Sequence, residues 1–171
     1  SATNVAGATG ATSDAGSIYA VSMTQTAGSG TTRLGLVRTT GAGLDLNGAA
    51  FTFNGTVTTV TGAGTVTITN TGLLTIAAVA DFSLNGAFTQ DGSGAVSTAG
   101  DITTTNDDIS FAMAVTLTGA VALSTTAGVG GNISFANAAT VDGSYDLTLT
   151  AGTGNVSFGT VSGAANGRIG G

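Results

Sequence analysis

Asp108-Ile109-Ser110-Phe111, Asn132-Ile133-Ser134-Phe135 and Asn155-Val156-Ser157-Phe158 are one phrase written three times, its second residue stepping by 24 and then 23 positions. A second phrase keeps time with it. Val121-Ala122-Leu123 leads to Ala127-Gly128, and Leu147-Thr148-Leu149 leads to Ala151-Gly152, so that Leu123 to Leu147 and Gly128 to Gly152 are both 24. Two phrases on one period mark a repeat architecture, in which each unit lays its apolar positions on those of the unit before.

Inside the phrases apolar residues alternate with small polar ones, as in Phe51-Thr52-Phe53, Val66-Thr67-Ile68, Phe82-Ser83-Leu84 and Val115-Thr116-Leu117. Period two is the signature of a half-buried strand, because successive side chains point to opposite faces. The strands are short and broken by Asn-Gly, Asp-Gly, Gly-Ser-Gly and Ala-Gly, residues that tolerate the positive φ of tight corners. An antiparallel β-sandwich accommodates such strands. A parallel β-solenoid also requires them to recur at a fixed period, and they do. The expected fold is therefore all-β, a solenoid of about seven coils of about 23 residues, each holding three strands and three corners, roughly 35 Å long at about 4.8 Å per coil.

Upstream the period blurs. Leu46-Asn47-Gly48-Ala49-Ala50-Phe51-Thr52 echoes Leu84-Asn85-Gly86-Ala87-Phe88-Thr89 at a separation of 38, which would fit two coils of about 19. The chain reads as one domain over 1–171, with a less regular lead-in or cap over 1–45, repeat coils over 46–165 and a Gly-rich tail over 166–171. Ile109, Phe111, Ile133, Phe135, Val156 and Phe158 are the expected interior ladders.

Composition narrows the alternatives. Of the 171 residues, 7% are charged, against roughly 25% in an ordinary domain. All nine acids are Asp, all three bases are Arg, and Glu, Lys, His, Trp, Cys and Pro are absent. A hydrophobic content of 42%, a mean hydropathy of +0.41 and a net charge of only −6 set the chain apart from disordered sequence. The frequent Gly, Thr and Val disfavour helix, whereas branching at Cβ suits a pleated surface.

Without Cys there is no disulfide and no thiolate metal site. The longest apolar run, Leu73 to Ala80, is interrupted by Thr75 and is too short to span a bilayer. The chain begins at Ser1 with no signal peptide, as expected of a processed or excised segment. An acidic balance argues against a nucleic-acid partner, which needs clustered Lys or Arg.

The stretches Gly100-Asp101-Ile102-Thr103-Thr104-Thr105-Asn106-Asp107-Asp108-Ile109-Ser110-Phe111 and Leu147-Thr148-Leu149-Thr150-Ala151-Gly152-Thr153-Gly154-Asn155-Val156-Ser157-Phe158 resemble the repeats of giant bacterial surface adhesins of the filamentous-haemagglutinin and autotransporter type. The resemblance covers roughly 80–165, and the remainder by composition. It implies a right-handed parallel β-helix, export from a Gram-negative-type cell and adhesive or matrix roles. It supplies no catalytic residue.

Chemistry is sparse. The usual general bases and activated nucleophiles are missing, leaving Asp. The one adjacent acidic pair, Asp107-Asp108, would point its side chains to opposite faces of a strand. Asp91-Gly92-Ser93-Gly94 and Asp142-Gly143 offer one carboxylate per turn, where calcium needs several converging oxygens. No catalytic, cofactor-binding or metal residue is assigned, and no cofactor is expected.

The Thr-rich stretches Thr56-Val57-Thr58, Thr65-Val66-Thr67-Ile68-Thr69, Thr103-Thr104-Thr105, Thr116-Leu117-Thr118 and Thr148-Leu149-Thr150 put Thr outward but share no single offset per coil. That counts against a flat ice-binding array. Asn54-Gly55-Thr56, Asn132-Ile133-Ser134 and Asn155-Val156-Ser157 match the glycosylation pattern, two of them through the repeat itself.

The expectation is a secreted structural or adhesive component of a bacterial surface, not an enzyme. Its open ends would pair head to tail with further copies of the chain. Cell-surface or matrix glycans are the other expected partner class. Ice binding and glycan binding by the solenoid are the alternative functions.

Overall fold

The computed structural model describes residues 3–4, 16–60, 64–126, 128–136 and 140–159. Every strand pair among them is parallel, which rules out the sandwich and makes the chain a β-solenoid of about six turns. Each turn has three sides. The first side stacks, among others, Val57–Thr59, Phe82–Leu84, Ile102–Thr104, Val121–Ser124 and Leu147–Thr150. The second stacks Thr65–Asn70, Phe88–Gln90, Ile109–Phe111, Ile133–Phe135 and Val156–Phe158. The third stacks Thr31–Leu34, Ala50–Phe53, Leu74–Ile76, Val96–Thr98, Val115–Leu117 and Val141–Asp142.

Two longer strands, Ile18–Gln25 and Val37–Gly48, bend around the corner from the first side to the second. Gly43 makes the second bend possible. It has φ +87°, and a Cβ there would collide with the carbonyl oxygen of Thr65 in the next coil. The stacking thus begins by Ile18, inside the stretch where the sequence has no register. Counted from Ile18–Gln25, sides one and two reach a seventh layer at Leu147–Thr150 and Val156–Phe158.

Alternation sorts each strand. Leu44, Leu46, Phe51, Phe53, Val66, Ile68, Leu74, Phe88, Val96, Ile109 and Ile133 are buried, while the residues between them face out. Phenylalanine threads the core. Phe53, Phe82, Phe88, Phe111, Phe135 and Phe158 follow one another with ring centroids 4.9–5.6 Å apart, edge-to-face at first and stacked within 9° and 3° in the last two pairs. Such ring pairs add about 0.5–1.5 kcal/mol each beyond the area they bury.

The repeated phrase is a true ladder, with Ile109 on Ile133 on Val156 and Phe111 on Phe135 on Phe158. The first four are buried. Val156 and Phe158 are 41% and 38% exposed, because no described strand pairs on the far edge of theirs.

Two register expectations are corrected. Leu147 lies on Val121, and Leu149 on Leu123, so the offset there is 26 rather than 24. The echoed Leu-Asn-Gly-Ala phrases do not stack at all. Leu46 is on the second side, over Ile68, and its phrase turns onto the third side at Phe51. Leu84 is on the first side, and its phrase turns onto the second at Phe88. One piece of sequence serves two different corners. Coil offsets run from 19, Thr31 to Ala50, to 26, Val115 to Val141. The strands keep register because the corners absorb the difference.

Among the described residues no helix is long and apolar enough to cross a membrane. The Gly-rich tail 166–171 lies outside the described residues.

Candidate functional surfaces

The described carboxylates are dispersed along the rod, and those of Asp81, Asp91, Asp101, Asp108 and Asp142 accept hydrogen bonds. The amide N–H of Asp101 donates to Asp81 Oδ1 (3.0 Å), and that of Ala122 donates to Asp101 Oδ1 (2.7 Å), so each acid caps the coil that follows. Asp108 Oδ1 accepts from the backbone N–H of Asn132 (2.6 Å), and Asn132 Oδ1 accepts in turn from that of Asn155 (2.9 Å). The carbonyl oxygen of its neighbour Asp107 accepts from the Thr104 hydroxyl. Asp91 accepts from Thr69 Oγ1, and Asp142 Oδ1 caps the N–H of Gly143 in its own turn. No three acidic side chains converge on a metal-sized site among the described residues.

Inside the rod, polar groups collect at corners. Where the second side turns into the third, Gln25, Asn70 and Gln90 are buried. Gln90 Nε2 donates to Asn70 Oδ1 (2.8 Å) and to the carbonyls of Gly92 (3.0 Å) and Gly94 (3.2 Å). Its Oε1 accepts from the N–H groups of Ala112 (3.1 Å) and Met113 (3.3 Å) in the next coil. Asn70 Nδ2 donates to the Gly72 carbonyl (2.6 Å), and Thr32 Oγ1 donates to Gln25 Oε1 (2.9 Å).

Buried threonines serve the other corners. Thr59 Oγ1 accepts from Asn85 N–H (2.7 Å), Thr98 Oγ1 donates to the Gly100 carbonyl (3.1 Å), and Thr125 Oγ1 to that of Gly131 (2.8 Å). Composition hides this layer of the fold. Parity reveals it, since Asn70 and Gln90 occupy inward positions in Val66-Thr67-Ile68-Thr69-Asn70 and Phe88-Thr89-Gln90.

The threonines share no single offset per coil, as the sequence indicates, yet they align between strands on the outer surface. Each side carries one column of mainly hydroxyl side chains. On the first side it runs Arg38, Thr58, Ser83, Thr103, Ser124, Thr150. On the second it runs Thr24, Asp45, Thr67, Thr89, Ser110, Ser134, Ser157. On the third it runs Arg33, Thr52, Thr75, Ser97, Thr116, Asp142. Varying corners scramble the sequence offsets while the strands hold the columns. Each column is single, and its flanking columns are mixed, so no side presents the regular two-dimensional Thr array of the ice-binding alternative.

Of the three glycosylation-pattern asparagines, Asn54 is exposed at a corner, and Asn132 and Asn155 belong to the capping column. Two open hollows lie toward the N-terminal end, one of them bounded by Tyr19, Ala20, Val21, Arg38 and Thr40. Comparison with protein-family models, curated proteins and solved structures found no match.

Proposed function

We propose that this chain is a rod-forming, non-catalytic component of a bacterial extracellular surface, structural or adhesive, whose copies join end to end. The observation that carries the reading is the last described layer. Among the described residues the strand Val156–Phe158 is paired on one edge only, to Ile133–Phe135, and its Phe158 ring stacks on Phe135 at 4.9 Å while remaining 38% exposed. An unpaired strand edge with an apolar ladder half in water is a template for another strand. Asn155, at the top of its capping column, repeats the group with which Asn132 caps the strand above it. The same reading takes glycans of the cell surface or matrix as adhesive partners, with the outward hydroxyl columns as hydrogen-bonding groups. The dispersal of the carboxylates, four of which cap backbone N–H groups, supports the non-catalytic part.

The test is negative-stain microscopy and light scattering of the purified chain, alongside Val156→Asp and Phe158→Asp. The wild type is expected to form filaments that salt does not dissolve, since few charges are available to screen. Both variants should keep the β circular-dichroism spectrum and give short filaments or none. A wild type that stays monomeric at high concentration overturns the reading, as do folded variants that polymerise normally.

A further inference from the structure

The third side differs from the other two. Its central column begins with Arg33, ends with Asp142 and has only Thr and Ser between. On one flank stand Ala50, Leu73, Ala95 and Ala114, and on the other Asn54, Ala77, Ala99 and Thr118, aligned by their inter-coil hydrogen bonds. Four consecutive coils therefore present a side without charge, with a cation below and an anion above. Leu73 is the one large side chain on it, 50% exposed. Arg33 has no carboxylate partner among the described residues, and its Nε is buried without a hydrogen bond.

From this pattern we infer that the third side is a lateral interface with a second copy of the same chain, packed face to face with the rods antiparallel. A twofold axis in the interface, perpendicular to the rods and midway between the levels of Thr75 and Ser97, sets Arg33 of each copy against Asp142 of the other. It sets Thr52 against Thr116, and Thr75 against Ser97. It also sets Leu73 against Ala95, so the one projecting side chain meets a small one. The parallel arrangement would put Arg33 on Arg33, Asp142 on Asp142 and Leu73 against its own coil level, so charge selects the antiparallel one. The contact is self-complementary and closes at two copies. The six levels span about 24 Å, and the two faces together bury roughly 800–1,000 Å², below the range of stable interfaces and in that of transient ones. The dimer is accordingly weak and driven by concentration.

The contact is independent of the end-to-end joint, and the experiment separates them. Sedimentation is run across a concentration series in the Phe158→Asp background, which blocks the ends. That protein should pass from one to two copies and stop. Arg33→Asp and Asp142→Arg, each added singly, should weaken dimerisation at least about tenfold by placing like charges opposite each other. Mixing the two variants should restore it, because the heterodimer regains both opposite-charge pairs. Thr75→Arg, at the centre of the side, should abolish the dimer. Persistence of a monomer at every concentration overturns the inference, and so does a mixture no stronger than its parts. In wild-type background, Thr75→Arg should leave filaments intact. A dimer unchanged by Thr75→Arg, with filaments intact, would overturn the lateral contact and leave the end joint standing.

Discussion

Two columns of polar side chains climb opposite ends of the second side and perform one task in two solvents. At the near end, Asp108 caps Asn132 and Asn132 caps Asn155, each in the coil above, from an exposed corner. At the far end, Gln90 caps Ala112 and Met113 from inside the rod, with Asn70 bracing it. The exposed caps, at 2.6 and 2.9 Å, are even shorter than the buried ones at 3.1 and 3.3 Å. The stakes run the other way. Water replaces a lost cap at the exposed corner, so its net worth is about 0.5–1.5 kcal/mol. No solvent reaches the buried corner, so losing one partner leaves the others unpaired, at about 1–3 kcal/mol per group. The exposed column trims the rod's surface, whereas the buried one holds three consecutive coils in register.

Substitutions can break or sharpen that contrast. Gln90→Leu removes five hydrogen bonds and takes their side-chain partner from the Met113 amide, Asn70 Oδ1 and the carbonyls of Gly92 and Gly94, while the Ala112 N–H keeps the backbone carbonyl of residue 90. It should lower the unfolding free energy by about 3–5 kcal/mol, read from the urea midpoint. A loss under about 1 kcal/mol would show that the buried corner is wet. Gly94→Ala tests the same corner by shape. A Cβ there would collide with the Gly72 carbonyl oxygen and lie 2.6 Å from Asn70 Nδ2, and backbone cannot yield as a flexible side chain does. A loss of about 2–3 kcal/mol is expected, seen as a lower thermal midpoint. Asn132→Ala removes the cap on Asn155 at the exposed corner and should cost about 0.5–1 kcal/mol. If it matched Gln90→Leu, burial would not be what separates the columns.

The sequence made the strands legible and the corners only partly so. Ile109, Ile133 and Val156 can be aligned by eye because equivalent residues recur at nearly equal offsets. Leu123 and Leu147 cannot, since in Leu147-Thr148-Leu149 either leucine satisfies the pattern and only the corner's length chooses. Leu46-Asn47-Gly48-Ala49 and Leu84-Asn85-Gly86-Ala87 mislead for a related reason. A tight turn after an inward leucine is a local requirement, and any corner of the triangle can impose it. Gln90 and Asn70 were hidden by their neighbours, because an amide just before Asp91-Gly92 or Thr71-Gly72 reads as part of a turn. The outward columns stayed invisible while spacing was measured along the chain, since columns form between strands whose separations in sequence differ.

Uneven coils have a mechanical consequence. The hydrogen bonds joining one coil to the next run along the rod, so tension on its two ends loads them one layer after another. Each layer that peels away exchanges a rise of about 4.8 Å for the contour of a whole coil. With 19 to 26 residues per coil, that is roughly 60–90 Å of slack per event. A rod anchored at one end and gripping at the other would lengthen in steps, each of a size set by its own corner lengths. It would shed load gradually and leave its remaining layers folded.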